Sequence, residues 1–230
     1  VSIGELREGP LHAALKRELA APDDAFEVRV GRWVIDLVRA DGELVEVQTG
    51  SFAPLGDKLD GLLDTRRMRV VFPVPARRRV VRIDAGGAVL SERRSPRAGR
   101  PVDVFDRLVA FPTLIGHPNL VLEVVLCAED HVRGAEPARS TSGRRRRDPG
   151  VRHLTAILER HEVRRPADLL TLLPGALPAG EFTTAELARA LRLPLVLAQR
   201  VVFCLRHAGL LDGAGLRARA PLHRRAHDEH

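Results

Sequence analysis

Tyrosine is absent from the 230 residues, aromatic residues make up 3%, and only two of the 37 cations are lysines, Lys16 and Lys58. So heavy a use of arginine reads as a GC-rich coding bias, which removes the raw arginine count as a sign of a binding surface. The two cysteines, Cys127 and Cys204, sit in the apolar runs "LVLEVVLCA" and "RVVFCLRHAG". They form neither a disulfide framework nor a metal-ligand spacing and read as buried thiols. No hydrophobic run approaches the ~20 residues needed to cross a bilayer, and the N-terminus lacks a signal-peptide pattern. A membrane partner is therefore excluded, and the expected location is cytoplasmic. The glycines of "DAGG" lack the strand-loop-helix context of a phosphate cradle and read as a turn.

What remains is 44% apolar and 29% charged, enough to bury a core, in a length that suits two unequal domains. The charge is unevenly spread. Residues 1–130 carry 19 Lys+Arg against 20 Asp+Glu, whereas residues 131–230 carry 18 against 10. A positive field confined to one part of a chain suits a partner with a phosphate backbone, although a solvated face gives the same count.

Leucines at 11, 15 and 19 recur at helical spacing, with Glu8 on the same face, and Pro10 marks either the helix start or a kink. "FEVRV", "WVIDLV" and "LVEVQ" alternate as short strands, and residues 55–67 return to helical spacing. "MRVVFPV" and "RVVRI" read as two further strands, the second turning through "DAGG" into "AVLSERR". "VDVFDRLVAFPTLIGH" and "NLVLEVVLCAE" read as a helix and a strand that close the domain. The fold class is α/β: a mixed sheet flanked by helices over residues 1–132. Residues 133–150, "RGAEPARSTSGRRRRDPG", have the composition of a basic linker. "VRHLTAILERHEV" and "RPADLLTLLP" then read as helices opening a second unit, 151–222, and 223–230 as a disordered tail.

In that second unit Thr183 and Glu186 form a capping box, a helix over 184–191 leads through "RLP" into another over 195–208, and Gly209 stops it. The tail "LLDGAGLRARAPLH" offers an Asp-Gly turn between strands. This order resembles the winged helix-turn-helix domains. The resemblance implies DNA as partner, with Arg192, Gln199, Arg200 and Arg206 toward the major groove and Arg217 and Arg219 along phosphates. Winged helices also serve as protein-protein modules, and that reading stays open.

In the stretch "VIDLVRADGELVEVQTG", Asp36 and Glu46 stand in two strands that otherwise look buried. A three-residue loop, Ala40-Asp41-Gly42, with Gly42 in the left-handed conformation, would pair position 36 with position 46. Two such carboxylates call for a cation, and Mg²⁺ held by carboxylates and phosphate is an economical one. The order of a helix carrying Glu8, a strand carrying Asp36, then "EVQ" at 46–48, a helix and a strand resembles the restriction-endonuclease-like PD-(D/E)xK nucleases over residues 3–84. The resemblance implies Mg²⁺ or Mn²⁺ on Asp36 and Glu46, phosphodiester hydrolysis and a homodimer. Glu8 is then the helical acid, Gln48 stands in the lysine position, and Lys58, or else Lys16, is a migrated ammonium. No proline precedes Asp36, and Gln48 carries no charge. The alternative is a non-catalytic DNA-binding regulator with a degenerate nuclease fold. Lys58 directed into the carboxylate pair would favour catalysis, and a solvent-facing Lys58 the regulator.

Overall fold

The computed structural model of the chain describes residues 9–134 and 150–226. Helix α1 (Pro10–Leu19) begins at the proline, where a missing N–H costs nothing, and buries Leu11, Leu15 and Leu19. Strands β1 (Ala25–Val30), β2 (Trp33–Val38) and β3 (Leu44–Val47) follow as expected. Helix α2 (Gly56–Leu62) leads into β4 (Met68–Ile83), which turns back as β5 (Val89–Arg94). The single 16-residue strand β4 replaces the two strands read from its sequence, with an irregularity between Pro75 and Arg77 instead of a break.

The stretch read as one helix after residue 101 is broken into α3 (Phe105–Leu108) between 3-10 turns at Pro101–Val104 and Pro112–Leu114. Pro112 lacks the N–H that would continue the helix, and Gly116 takes a φ of +100°. Strand β6 (Leu120–Gly134) then runs parallel to β4 along nearly its whole length.

Residues 151–163, read as a helix, form strand β7 (Val151–Val163) antiparallel to β6. The ladder skips Leu158 and Thr155, two bulges three residues apart. Each bulge adds a residue to one strand, so a spacing of two becomes three and imitates a helical face. Leu154 and Ile157 are the pair that this brings to one side of the sheet. The linker expected over 133–150 falls mainly on residues 135–149, outside the described residues.

The sheet has the order β1-β2-β3-β4-β6-β7, with β5 beside the far half of β4. β3, β4 and β6 are mutually parallel and the remaining pairs antiparallel. One face carries α1 over a small core of Leu15, Leu37, Val45 and Val71. The other carries α2 and α3 over a larger core.

Beyond a 3-10 segment, Pro166–Leu172, the chain forms β8 (Phe182–Thr183), α4 (Thr184–Ala190), α5 (Leu195–His207), β9 (Leu211–Arg217) and β10 (Ala220–Arg225). The three strands make a second small sheet, β8-β10-β9. The Thr183–Glu186 capping box is present, with Thr183 N–H donating to the Glu186 carboxylate and Glu186 N–H to the threonine hydroxyl. The β9–β10 turn lies at Ala218–Arg219, both with positive φ, whereas Asp212-Gly213 sits inside β9. β10 also claims residues 223–225 from the segment read as a disordered tail; residues 227–230 lie outside the described ones. The architecture is a mixed parallel and antiparallel sheet flanked by helices, followed by a smaller, mostly helical C-terminal region. One hydrophobic cluster runs from the sheet through Phe105 and Leu108 into Leu197, Ala198 and Val201 of α5.

Candidate functional site

The β2–β3 hairpin closes as the three-residue loop requires: Arg39 N–H donates to the Glu43 carbonyl, and Gly42 has a φ of +82°. Leu37 pairs with Val45, so the next step faces position 36 with 46. There the ladder gives way. Val47 N–H donates to Asp36 Oδ2 at 2.8 Å, so a side-chain oxygen takes the place of a strand carbonyl. The strands end in a cleft of about 340 Å³ lined by His12, Lys16, Asp36, Glu46, Gln48 and Lys58.

Each carboxylate in this cleft has its own basic partner. His12 Nε2 of α1 is 3.1 Å from Asp36 Oδ2. Lys58 Nζ of α2 is 2.6 Å from Glu46 Oε1 and also donates to the Val34 carbonyl. Lys16 Nζ is 2.9 Å from Glu27 Oε1. Glu27, which sequence reasoning did not single out, stands opposite Asp36 in the β1–β2 register and adopts a φ of +53°. A non-glycine residue in that region is strained by about 1–3 kcal/mol. No sequence signal marks such a position.

The two central carboxyls are held apart electrostatically. Burial pushes Asp36 upward, but the hydrogen bond and charge of His12, the Val47 N–H and Lys16 outweigh it and hold the group below the ordinary carboxylate range. Burial and the charge of Asp36 push Glu46 up to about 7, against the pull of Lys58. One carboxyl thus ionises easily while its neighbour keeps its proton toward neutrality.

This arrangement corrects the metal reading. Among the described residues no group of three or more His, Cys, Asp or Glu could hold a metal ion. The PD-(D/E)xK resemblance, Mg²⁺ or Mn²⁺ on Asp36 and Glu46, and metal-dependent hydrolysis are therefore set aside. The physical reason is that the cation demanded by the carboxylate pair is supplied by the chain, as Lys58 with the His12 ring. Lys58 does point into the pair, the placement expected for catalysis, but without a metal cluster beside it among the described residues it stands as a counterion. Gln48 turns its amide to the Ser51 carbonyl, and Glu8 lies outside the described residues.

The residues assigned to DNA divide into two groups. Gln199 and Arg206 are exposed on α5, where they line a shallow depression with Phe203 and His207. Arg192 lies before α5 in the turn, with a φ of +50°, and Arg219 occupies the tip of the β9–β10 turn. The other two are engaged internally. Arg200 is paired with Asp106 of α3, and Arg217 with Glu186 at the start of α4. Among the described residues no helix is long and apolar enough to cross a membrane.

A family model described as "Domain of unknown function (DUF8091)" matches residues 9–164, from α1 to the end of β7. A protein of Treponema pallidum (strain Nichols), named "Uncharacterized protein", is 31% identical over 125 residues. The aligned stretch covers 54% of this chain and 50% of that protein, so the chain spans about half the length of this curated relative. No solved structure matches. The model match covers more than half of the chain, and on that ground the chain belongs to the DUF8091 family.

Proposed function

We propose that the protein is a non-catalytic DNA-binding protein whose C-terminal region acts as a winged helix-turn-helix. The observation that carries this reading is the succession of capped α4, short turn, α5 and β9–β10 hairpin. Gln199 and Arg206 are open on the second helix and Arg219 at the hairpin tip. A helix of this kind reads base edges, and arginines on the hairpin neutralise phosphates. The excess of 18 Lys+Arg over 10 Asp+Glu in residues 131–230 supports the same partner. The sheet serves as a scaffold, its cleft neutralised by internal pairs.

A second reading, docking of another protein on α5, is favoured by Leu195, Val196 and Phe203, which are 51%, 57% and 41% exposed. Fluorescence anisotropy with a labelled duplex at 50 and 200 mM salt separates the two. DNA binding predicts salt-sensitive association, weakened by Arg206→Ala with Arg219→Ala, and an intact duplex after incubation with Mg²⁺. A protein that ignores the duplex at both salt concentrations would leave the docking reading in possession.

A further inference from the structure

A second arginine-rich surface lies away from the cleft and reaches the exposed start of α5 at Val196. The loop after β5 crosses back over β4 and faces the start of α5 across a groove of about 710 Å³. Its floor is apolar, with Phe72, Val74, Pro194 and Leu197, and its rim carries Arg78, Arg97, Arg100, Arg107 and Arg200 against Asp103 and Asp106. Arg78 also lines an adjoining depression of about 370 Å³ with Arg77, Arg79 and Arg94, so the two depressions meet along β4.

The loop that brings Arg97 and Arg100 to the rim is pinned. Ser95 N–H donates to the Arg78 carbonyl at 2.7 Å, Gly99 N–H to the Pro75 carbonyl at 2.9 Å, and Arg100 N–H to Asp103 Oδ2 at 2.9 Å. Gly99 permits this approach, because a Cβ there would stand 2.6 Å from Val74 Cγ1 and 2.9 Å from the Pro75 carbonyl.

The rim charges differ in how they are satisfied. Asp106 holds Arg200, and buried Glu129 holds Arg78 at 2.6 Å. Among the described residues no carboxylate lies within ion-pair distance of Arg77, Arg94, Arg97, Arg100 or Arg107. Five guanidinium groups gathered without counterions repel one another, and a row of anionic groups would relieve the repulsion. Because the row extends through two joined depressions, it fits a partner with repeated charges better than a single small anion. The apolar floor below a cationic rim suits sugars between phosphates.

We infer that this groove binds the phosphodiester backbone of a nucleic acid, continuing onto the sheet the path of a duplex held by α5. The inference rests on the DNA-binding reading proposed above, and it adds a contact made by the DUF8091 part of the chain. Arg200, at the junction, is held in reserve by Asp106.

The test measures duplex affinity by anisotropy across a salt series, with the full chain carrying Arg97→Ala and Arg107→Ala, compared with Gln199→Ala and Arg206→Ala. Thermal unfolding confirms that each variant is folded. The groove variant is expected to bind at least ten-fold more weakly, with a slope of log K against log salt shallower by about 2, since each phosphate contact contributes about 0.9. Asp106→Asn, which releases Arg200, is expected to tighten binding a few-fold. A groove variant with unchanged affinity and slope, beside an α5 variant that has lost binding, overturns the groove and leaves the α5 reading standing. A wild type that binds no duplex overturns both. Competition by poly-glutamate as effective as by DNA also overturns the assignment, because the groove would then accept any polyanion.

Discussion

The cleft beside Asp36 gathers lysines and a histidine with carboxylates, the groove beside Arg97 gathers arginines with carboxylates, and the two differ in how the charges are matched. In the cleft every acid has a base at hydrogen-bonding distance: Asp36 with His12, Glu46 with Lys58, Glu27 with Lys16. The same holds for Arg69, buried on β4 among Glu43, Glu123 and Glu162. In the groove Arg97 and Arg100 stand on a loop pinned by its backbone and Arg107 on α3, and none of the three is in an ion pair with an acid. Internal pairing makes a charge part of the fold, whereas a pinned charge without a partner points outward to another molecule. Charge counts alone do not separate the two.

The sharpest way to break the contrast is at Arg69. Arg69→Ala removes the buried cation shared by Glu43 and Glu123, leaving them only the more exposed Arg39 and Arg160, and is expected to cost about 3 kcal/mol of unfolding free energy in a urea titration. Next is Glu46. In the unfolded chain its carboxyl ionises near its ordinary value of 4.5, but in the fold it keeps its proton to about 7. Between these values the folded state binds more protons, so raising the pH from 5 to 8 lowers stability. Glu46→Gln removes this dependence. Its stability relative to wild type is expected to rise across that window by up to about 3 kcal/mol, measured by thermal melts at fixed pH steps. Asp36 acts in the opposite sense, its contribution being lost as the pH falls below the ordinary carboxylate range.

Thr183→Ala removes a helix cap outside both regions and is expected to cost about 1 kcal/mol, which calibrates the scale by the same denaturant titration. The smallest effect is expected at Arg107. Arg107→Ala should change stability by less than about 0.5 kcal/mol while weakening duplex binding. A large stability loss there would place Arg107 among the internally matched charges and erase the contrast.

Local chemistry in the sequence carried the β2–β3 register and the α4 cap. Gly42 after Asp41 suits both a two-residue loop, which would pair 36 with 47, and a three-residue one, which brings 36 opposite 46, and the Arg39 N–H bond to the Glu43 carbonyl decides for the second. The partner of the carboxylate pair was less legible. "D…E" spacing shows that a positive group is needed, but Lys58 and a metal ion answer that need equally well until α2 is placed. Strand β7 was hidden because its bulges at Leu158 and Thr155 give apolar residues a spacing of three, and only the long ladder with β6 fixes it as a strand. The β9–β10 turn carries no signal at its tip, because Ala218 and Arg219 take positive φ without the glycine that usually announces it. The groove arginines Arg97 and Arg100 stand in "SPRAGR" with no signal that marks them, and their positions relative to α5 depend on the Gly99 contact, which is a tertiary one.

The hydrophobic cluster that joins Phe105 and Leu108 to Leu197 and Val201 has a practical consequence for anyone who dissects the chain. The family match stops at residue 164, but the apolar surface under it does not. A fragment cut there would lay bare the side chains that α5 now covers, and such a patch makes a truncated protein stick to itself. Residues 9–164 expressed alone should therefore be recovered poorly from solution, and the intact chain should melt in one cooperative step.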